Sequence, residues 1–188
     1  MPNDTRTWRD KINSGEIYYC TEPGFVREQT KCLKILDRFN RTRTGQSAKR
    51  RRIAKKLFGA AGKNLYIEPP VHANWGRNTF WGDNCYANFN LTLVDDGEIH
   101  IGDNCMIAPG VVIATAGHPL DPELRRKVAQ YSKPVRIGKD VWIGANAVIL
   151  PGVSVGDGSV IGAGSVVTKD IPPGVVAVGN PCRVVKAI

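Results

Sequence analysis

The stretch Val135–Val167, "VRIGKDVWIGANAVILPGVSVGDGSVIGAGSVV", decides how the rest of the chain is read. Its aliphatic residues Ile137, Ile143, Ile149, Val155, Ile161 and Val167 recur at every sixth position. Glycine follows the leader at Gly138, Gly144, Gly156 and Gly162, and a small or apolar side chain comes four residues after it. A helix face repeats about every 3.6 residues and a strand face about every two, so this period belongs to neither alone. Six residues supply one short strand and one corner. Three such units close a triangular coil of about 18 residues, and stacked coils bury their leaders in one column. The corners favour Gly and Asn, which tolerate positive φ.

Working outward, the count runs back through Ile113, Ile107, Ile101, Leu93 and Ala87 to Trp81, and it is broken twice. Eight residues from Leu93 to Ile101 leave a two-residue bulge around Asp95-Asp96-Gly97. Twenty-four separate Ile113 from Ile137, and Pro119, Arg125 and Tyr131 make poor leaders. That segment, about 117–135, is expected to leave the stack as a loop that begins Gly117-His118-Pro119. Loops on rigid scaffolds commonly display chemistry.

The first third has different chemistry. Residues 1–63 hold 16 Lys/Arg against 6 Asp/Glu, whereas 64–188 hold 10 against 11. Two helices are expected there. In "FVREQTKCLKILDRFNR" Cys32, Leu36 and Phe39 share a face that Leu33 and Ile35 widen. In "AKRRRIAKKLFGAAG" Ser47 is the expected cap, and Ile53, Leu57 and Phe58 the stripe. The chain therefore divides into a helical segment, 1–63, and a β-helix domain, 64–188. The basic run "KRRRIAKK" suggests nucleic acid, yet its apolar stripe needs burial and no aromatic platform accompanies it. It reads as a solvated helix face that also attracts anions.

The N-terminus has no apolar targeting core, and no apolar run approaches the ~20 residues of a membrane span. The five cysteines, Cys20, Cys32, Cys85, Cys105 and Cys182, show no CxxC spacing and read as reduced thiols in a cytoplasmic protein. Cys85 and Cys105 fall at repeat positions and are expected in the core.

With repeat, loop and histidine in hand, the chain resembles the hexapeptide-repeat acyltransferases. Within them it is similar to the sugar O-acetyltransferases of the galactoside, maltose and nodulation type. The resemblance is carried by "CYANFNLTLVDDGEIHIGDNCMIAPGV", "TAGHPLDPELR", "VWIGANAVILPGVSVGDGSVIGAGSVVTKDIPPGVVAVGNPCRVV" and, more weakly, "SGEIYYCTEPGF". It implies a mainly β protein, a left-handed parallel β-helix with N-terminal helices and an extruded loop. It also implies a homotrimer with active sites between subunits. The implied reaction carries an acetyl group from acetyl-CoA to a sugar hydroxyl, the 6-hydroxyl, with a galactoside, glucose or maltose as acceptor.

The resemblance implies these roles. His118 is the general base, a task that suits an imidazole because its ordinary pKa of about 6.5 leaves it basic at neutral pH. Asn88 polarises the reacting carbonyl, and the Ala145 N–H contacts the thioester oxygen. Trp142 lines the pantetheine channel, and Ala163, Thr168, Lys169, Arg183 and Lys186 meet the rest of coenzyme A, whose phosphates suit Lys and Arg. Asp96 binds the acceptor. Cys20 stands where the galactoside group has an acceptor-binding aspartate, and Asn74 where it has a serine, so the acceptor-binding residues depart from that pattern and a glucose or maltose acceptor is as well matched as a galactoside. His72 matches no family role, His100 in "EIHIGD" is expected to point outward, and no metal site is expected. The alternatives are an N-acyltransferase for amino sugars or a serine acetyltransferase on the same fold, a nucleic-acid-binding protein, and a silent scaffold.

Overall fold

The structure is a computed structural model that describes residues 6–188. Residues 1–5, part of the N-terminal stretch read above for targeting, lie outside the described residues. The six-residue count becomes a parallel β-helix of three faces. The first face holds Ala60–Ala61, Thr79–Trp81, Ile99–Ile101, Val135–Ile137 and Ser154–Val155. The second runs from Tyr66–Ile67 through Tyr86–Ala87, Met106–Ile107, Trp142–Ile143 and Val160–Ile161 to Val175–Val178. It ends on Arg183–Ala187, which pairs antiparallel with its neighbour. The third stacks Val71–Ala73, Leu91–Val94, Val112–Ala114, Val148–Ile149 and Val166–Val167.

Every leader from Trp81 to Val167 is buried, as are Cys85 and Cys105, so the column is the core the period called for. The solenoid takes in one further coil, because Ala61, Ile67 and Ala73 pair in register with Trp81, Ala87 and Leu93. The corner residues adopt positive φ, at Asn64, Asn84, Asn104 and Asp140 between the first two faces and at Asn90, Gly110, Asn146 and Gly164 between the next two. Asn64, Asn84, Asn104 and Asp140 also join side chain to side chain at 2.9–3.2 Å up that edge. Short polar side chains here relieve the strain of the left-handed region and bond the coil above.

Four helices sit outside the column: α1 (Trp8–Lys11), α2 (Phe25–Asn40), α3 (Ser47–Leu57) and α4 (Pro122–Arg126). On α2 the expected face is buried through Cys32, Leu36 and Phe39. With Ala54, Leu57 and Phe58, the residues Leu36 and Phe39 join the solenoid core over its first coil. Asn40 finishes that contact: its Nδ2 donates to the Val71 carbonyl at 2.7 Å, and its Oδ1 accepts from the Val71 N–H at 3.0 Å. Two sequence expectations fail on α3. Ser47 is not its cap, because Gln46 takes that position and its Oε1 accepts from the Arg43 N–H of the preceding turn. Nor is the basic run wholly solvated. Arg50 is buried, and its guanidinium donates to Thr42, Tyr66 and Glu68.

The ejected segment is ordered by pairing. Ala116–Gly117 runs antiparallel to Ala129–Ser132, which pairs on its other side with Tyr18–Tyr19. A separate aromatic cluster seats this N-terminal stretch, with Trp8 stacked on Trp75 at 5.4 Å and Phe25 edge-on to both at 5.0 Å.

Candidate active site

His118 leaves the solenoid just after Gly117, whose bare Cα lets the Tyr131 ring lie against the backbone; a Cβ there would sit 2.6 Å from the Tyr131 hydroxyl. The His118 side chain turns back to its own hairpin, with Nδ1 2.8 Å from the Ala129 carbonyl oxygen. A carbonyl only accepts, so Nδ1 carries the proton and Nε2 is left with a free lone pair. The residue is exposed.

A polar cluster lies at the corner between the third and first faces. Asp96, only 3% exposed, accepts from Asn74 Nδ2 at 2.6 Å and from Trp75 Nε1 at 3.3 Å. Cys20 is half-buried and donates through Sγ to Gln130 Oε1 at 3.2 Å. Burial, and then the Asp96 charge, push the Cys20 thiol up, which keeps it neutral. The three expected acceptor residues, Cys20, Asn74 and Asp96, are thus brought together, and the strand that carries Gln130 also holds His118. Asp95, next in the same bulge, is fully buried and accepts from the Trp75 N–H at 2.8 Å and the Thr79 hydroxyl at 3.2 Å. Its burial raises its carboxyl to about 7.

The donor-side residues lie elsewhere. Asn88 sits at the corner between the second and third faces; its Oδ1 takes the Phe89 N–H at 2.8 Å, which leaves Nδ2 to donate outward. Ala145 and Ala163 occupy the same corner in later coils, and Gly164 N–H bonds the Ala145 carbonyl at 2.8 Å. Trp142, 54% exposed, belongs to an outward column in register on the second face: Tyr66, Tyr86, Met106, Trp142, Val160, Val176 and finally Lys186. Met106, 57% exposed beside Trp142, escaped the sequence reading, although a methionine at an outward position of the repeat was a usable signal. Arg183 is exposed on that face too, while Thr168 and Lys169 are exposed at the opposite corner of the last coil.

One chain therefore splits the site. Asn88 and Asp96 flank the strand Leu91–Val94, with roughly 10 Å of extended backbone between them. The basic helices stand at the first coil, whereas Lys169, Arg183 and Lys186 lie at the last, so α3 is not placed to draw in a nucleotide bound there. His72 is exposed on the third face, and His100 stacks on Phe80 at 4.8 Å on the first with Nε2 bonded to Glu98. Among the described residues no three metal-ligating side chains cluster. Nor is a core thiol a nucleophile: Cys85 and Cys105 are 1% and 0% exposed, and the bond to Cys85, with burial, pushes Cys105 up.

Comparison with known proteins accounts for this arrangement. Residues 76–114 and 134–169 match the family described as hexapeptide repeat of succinyl-transferase, and 11–62 match the maltose acetyltransferase hexapeptide capping motif. The galactoside O-acetyltransferase of Lactococcus lactis is 46% identical over 95% of this chain and 86% of its own. The chain belongs to the hexapeptide-repeat sugar O-acetyltransferase family. A solved maltose O-acetyltransferase from Clostridium difficile superposes with a TM-score of 0.95 at 46% identity, covering 97% of this chain and 98% of that one. A galactoside acetyltransferase in complex with coenzyme A gives 0.94 at 45%, covering 97% and 92%. This member is accordingly an acyltransferase on a left-handed β-helix. No described helix is long and apolar enough to cross a membrane.

Proposed function

We propose that this acyltransferase moves the acetyl group of acetyl-CoA to a sugar hydroxyl, the 6-hydroxyl, in clefts between the subunits of a homotrimer. The observation that carries the reading is the 2.8 Å contact of His118 Nδ1 with the Ala129 carbonyl, which leaves Nε2 of this exposed residue free to act as a base. Asp96, with Asn74, holds acceptor hydroxyls, while Cys20 offers only a weakly bonding sulfur. His118 Nε2 takes the proton as the hydroxyl oxygen attacks the thioester carbon. Asn88 Nδ2 and the Ala145 N–H stabilise the charge that develops on the carbonyl oxygen. The C–S bond then breaks, and the imidazolium returns its proton to the departing thiolate. Trp142 and its outward column line the path of the pantetheine arm; Ala163, Thr168, Lys169, Arg183 and Lys186 receive the nucleotide end.

Residues 64–188 form the catalytic domain in this reading, and the helices of 1–63 cap it. Five free cysteines suit a reducing cytoplasm. Support for the trimer comes from the split site and from the third face. Its outward residues are His72, Thr92, Val112, Val148 and Val166, against Ala60, Phe80, His100, Arg136 and Ser154 on the first. β-Branched apolar side chains turned outward fit a buried contact between copies. The third face lies between the two half-sites, so a neighbour packed there brings its Asn88 to the first chain's His118.

The test measures acetyl-CoA consumption with glucose, maltose, galactosides, amino sugars and serine. At least one hydroxyl sugar should react; acetylation of amines alone would overturn the reading. Mixing inactive His118→Ala and Asn88→Ala chains tests the shared site, since activity returns in mixed trimers only where the two residues come from different subunits.

A further inference from the structure

The arm that carries His118 lies outside the solenoid, so no parallel ladder fixes it. The Ala129 carbonyl must nevertheless be held still, because it alone among the described contacts sets which ring nitrogen is protonated. The strand Ala129–Ser132 is tied on one side to Ala116–Gly117 and on the other to Tyr18–Tyr19, where Tyr18 faces Gln130 and Tyr19 faces Ala129.

Tyr18 does more than pair. Its hydroxyl lies 2.6 Å from Ser132 Oγ and accepts from Gln130 Nε2 at 2.7 Å. Residues 130 and 132 point to the same side of the strand, so one phenol pins the strand at two places. Gln130 then reaches on to the Cys20 thiol. The Tyr18 ring is fully buried in the cluster with Trp8, Phe25 and Trp75, and Trp75 Nε1 bonds Asp96. Burial pushes the phenol far up, so it stays neutral and serves as a strut rather than an acid.

We propose that Tyr18 is a positioning residue for the reaction: through Ser132 and Gln130 it holds the Ala129 carbonyl that orients His118, and it sets the base at a fixed place relative to Asp96. The proposal rests on the reading of His118 as the base. A segment some hundred residues away in sequence is thereby part of the catalytic machinery.

The test is Tyr18→Phe, which keeps the ring and removes the hydroxyl, with Ser132→Ala as the milder variant that breaks one of the two bonds. Both are assayed for kcat, for both KM values and for the pH dependence of kcat/KM. For Tyr18→Phe kcat should fall roughly 5- to 50-fold, with the KM for acetyl-CoA unchanged. The pH profile of kcat/KM should change, because the carbonyl that fixes which ring nitrogen carries the proton is now poorly placed. Ser132→Ala should move both quantities the same way by less. In a His118→Ala background Tyr18→Phe should cost no further activity. A Tyr18→Phe enzyme with a lowered melting temperature but an unmoved pH profile is overturning evidence, since it assigns the residue to packing. If Tyr18→Phe cannot be folded, an unmoved profile in Ser132→Ala overturns the proposal equally. A wild-type rate in His118→Ala would remove the base and this proposal together, whereas a slow His118→Ala with an unaltered Tyr18→Phe removes only the strut.

Discussion

Between residues 135 and 167 each sixth side chain repeats one task, while between 116 and 132 no two residues share a task. The solenoid is held by neighbours one coil away, and each coil buries its leaders on the next. The arm is held by a strand from the N-terminus, a tyrosine ring over a glycine and a buried phenol. Redundant contacts make the column a stiff ruler. The arm, by contrast, has single contacts that each matter, and those aim the histidine.

The largest expected effect strikes the arm. His118→Ala should lower kcat by ~10²–10⁴ while the chain stays folded, measured as acetyl-CoA turnover beside a circular dichroism melt. The matching blow to the column is Ile143→Ala, at a fully buried leader, which should cost about 2–5 kcal/mol in urea unfolding. If the two variants changed places, the division of labour drawn here would be wrong.

A third prediction concerns the bulge where arm and column meet. Asp95 has its carboxyl raised to about 7, above its ordinary 3.8, because burial disfavours the charge. The folded chain thus holds a proton that the unfolded chain has lost between those values. This contribution is present in full below about pH 4 and is lost as pH rises to about 7, up to roughly 4 kcal/mol in all. Urea midpoints across that window should fall with rising pH, and Asp95→Asn should flatten the slope. The smallest effect is expected at the cap, where Lys49→Ala with Arg52→Ala should leave turnover within about twofold, since exposed charges far from chemistry contribute little. Arg50 is excluded from that pair because it is buried.

The column was legible because its signal is local and repeated. Leaders, corner Asn and Gly, and the two breaks all follow from a count along the chain. The first coil escaped the count because Ala61 and Ala73 are weak leaders beside isoleucine and "EPP" interrupts them. His118, Asp96, Asn74 and Cys20 were found through family motifs, and the structure adds that Asn74 bonds Asp96, whose charge acts on the Cys20 thiol. Tyr18, Gln130 and Ser132 were not legible. Their residue types are ordinary, and their contacts span more than a hundred residues. The same limit hid Arg50, whose burial depends on Tyr66 and Glu68 of the first coil.

The carboxamide of Asn40 stands where another strand's peptide would lie against Val71. A pleated edge left bare is a template for a second molecule, and stacked coils offer one at either end. Asn40 occupies it with a group that bonds Val71 yet presents no further ladder beyond itself. At Val71 this leaves a second molecule's strand no free peptide group to pair with.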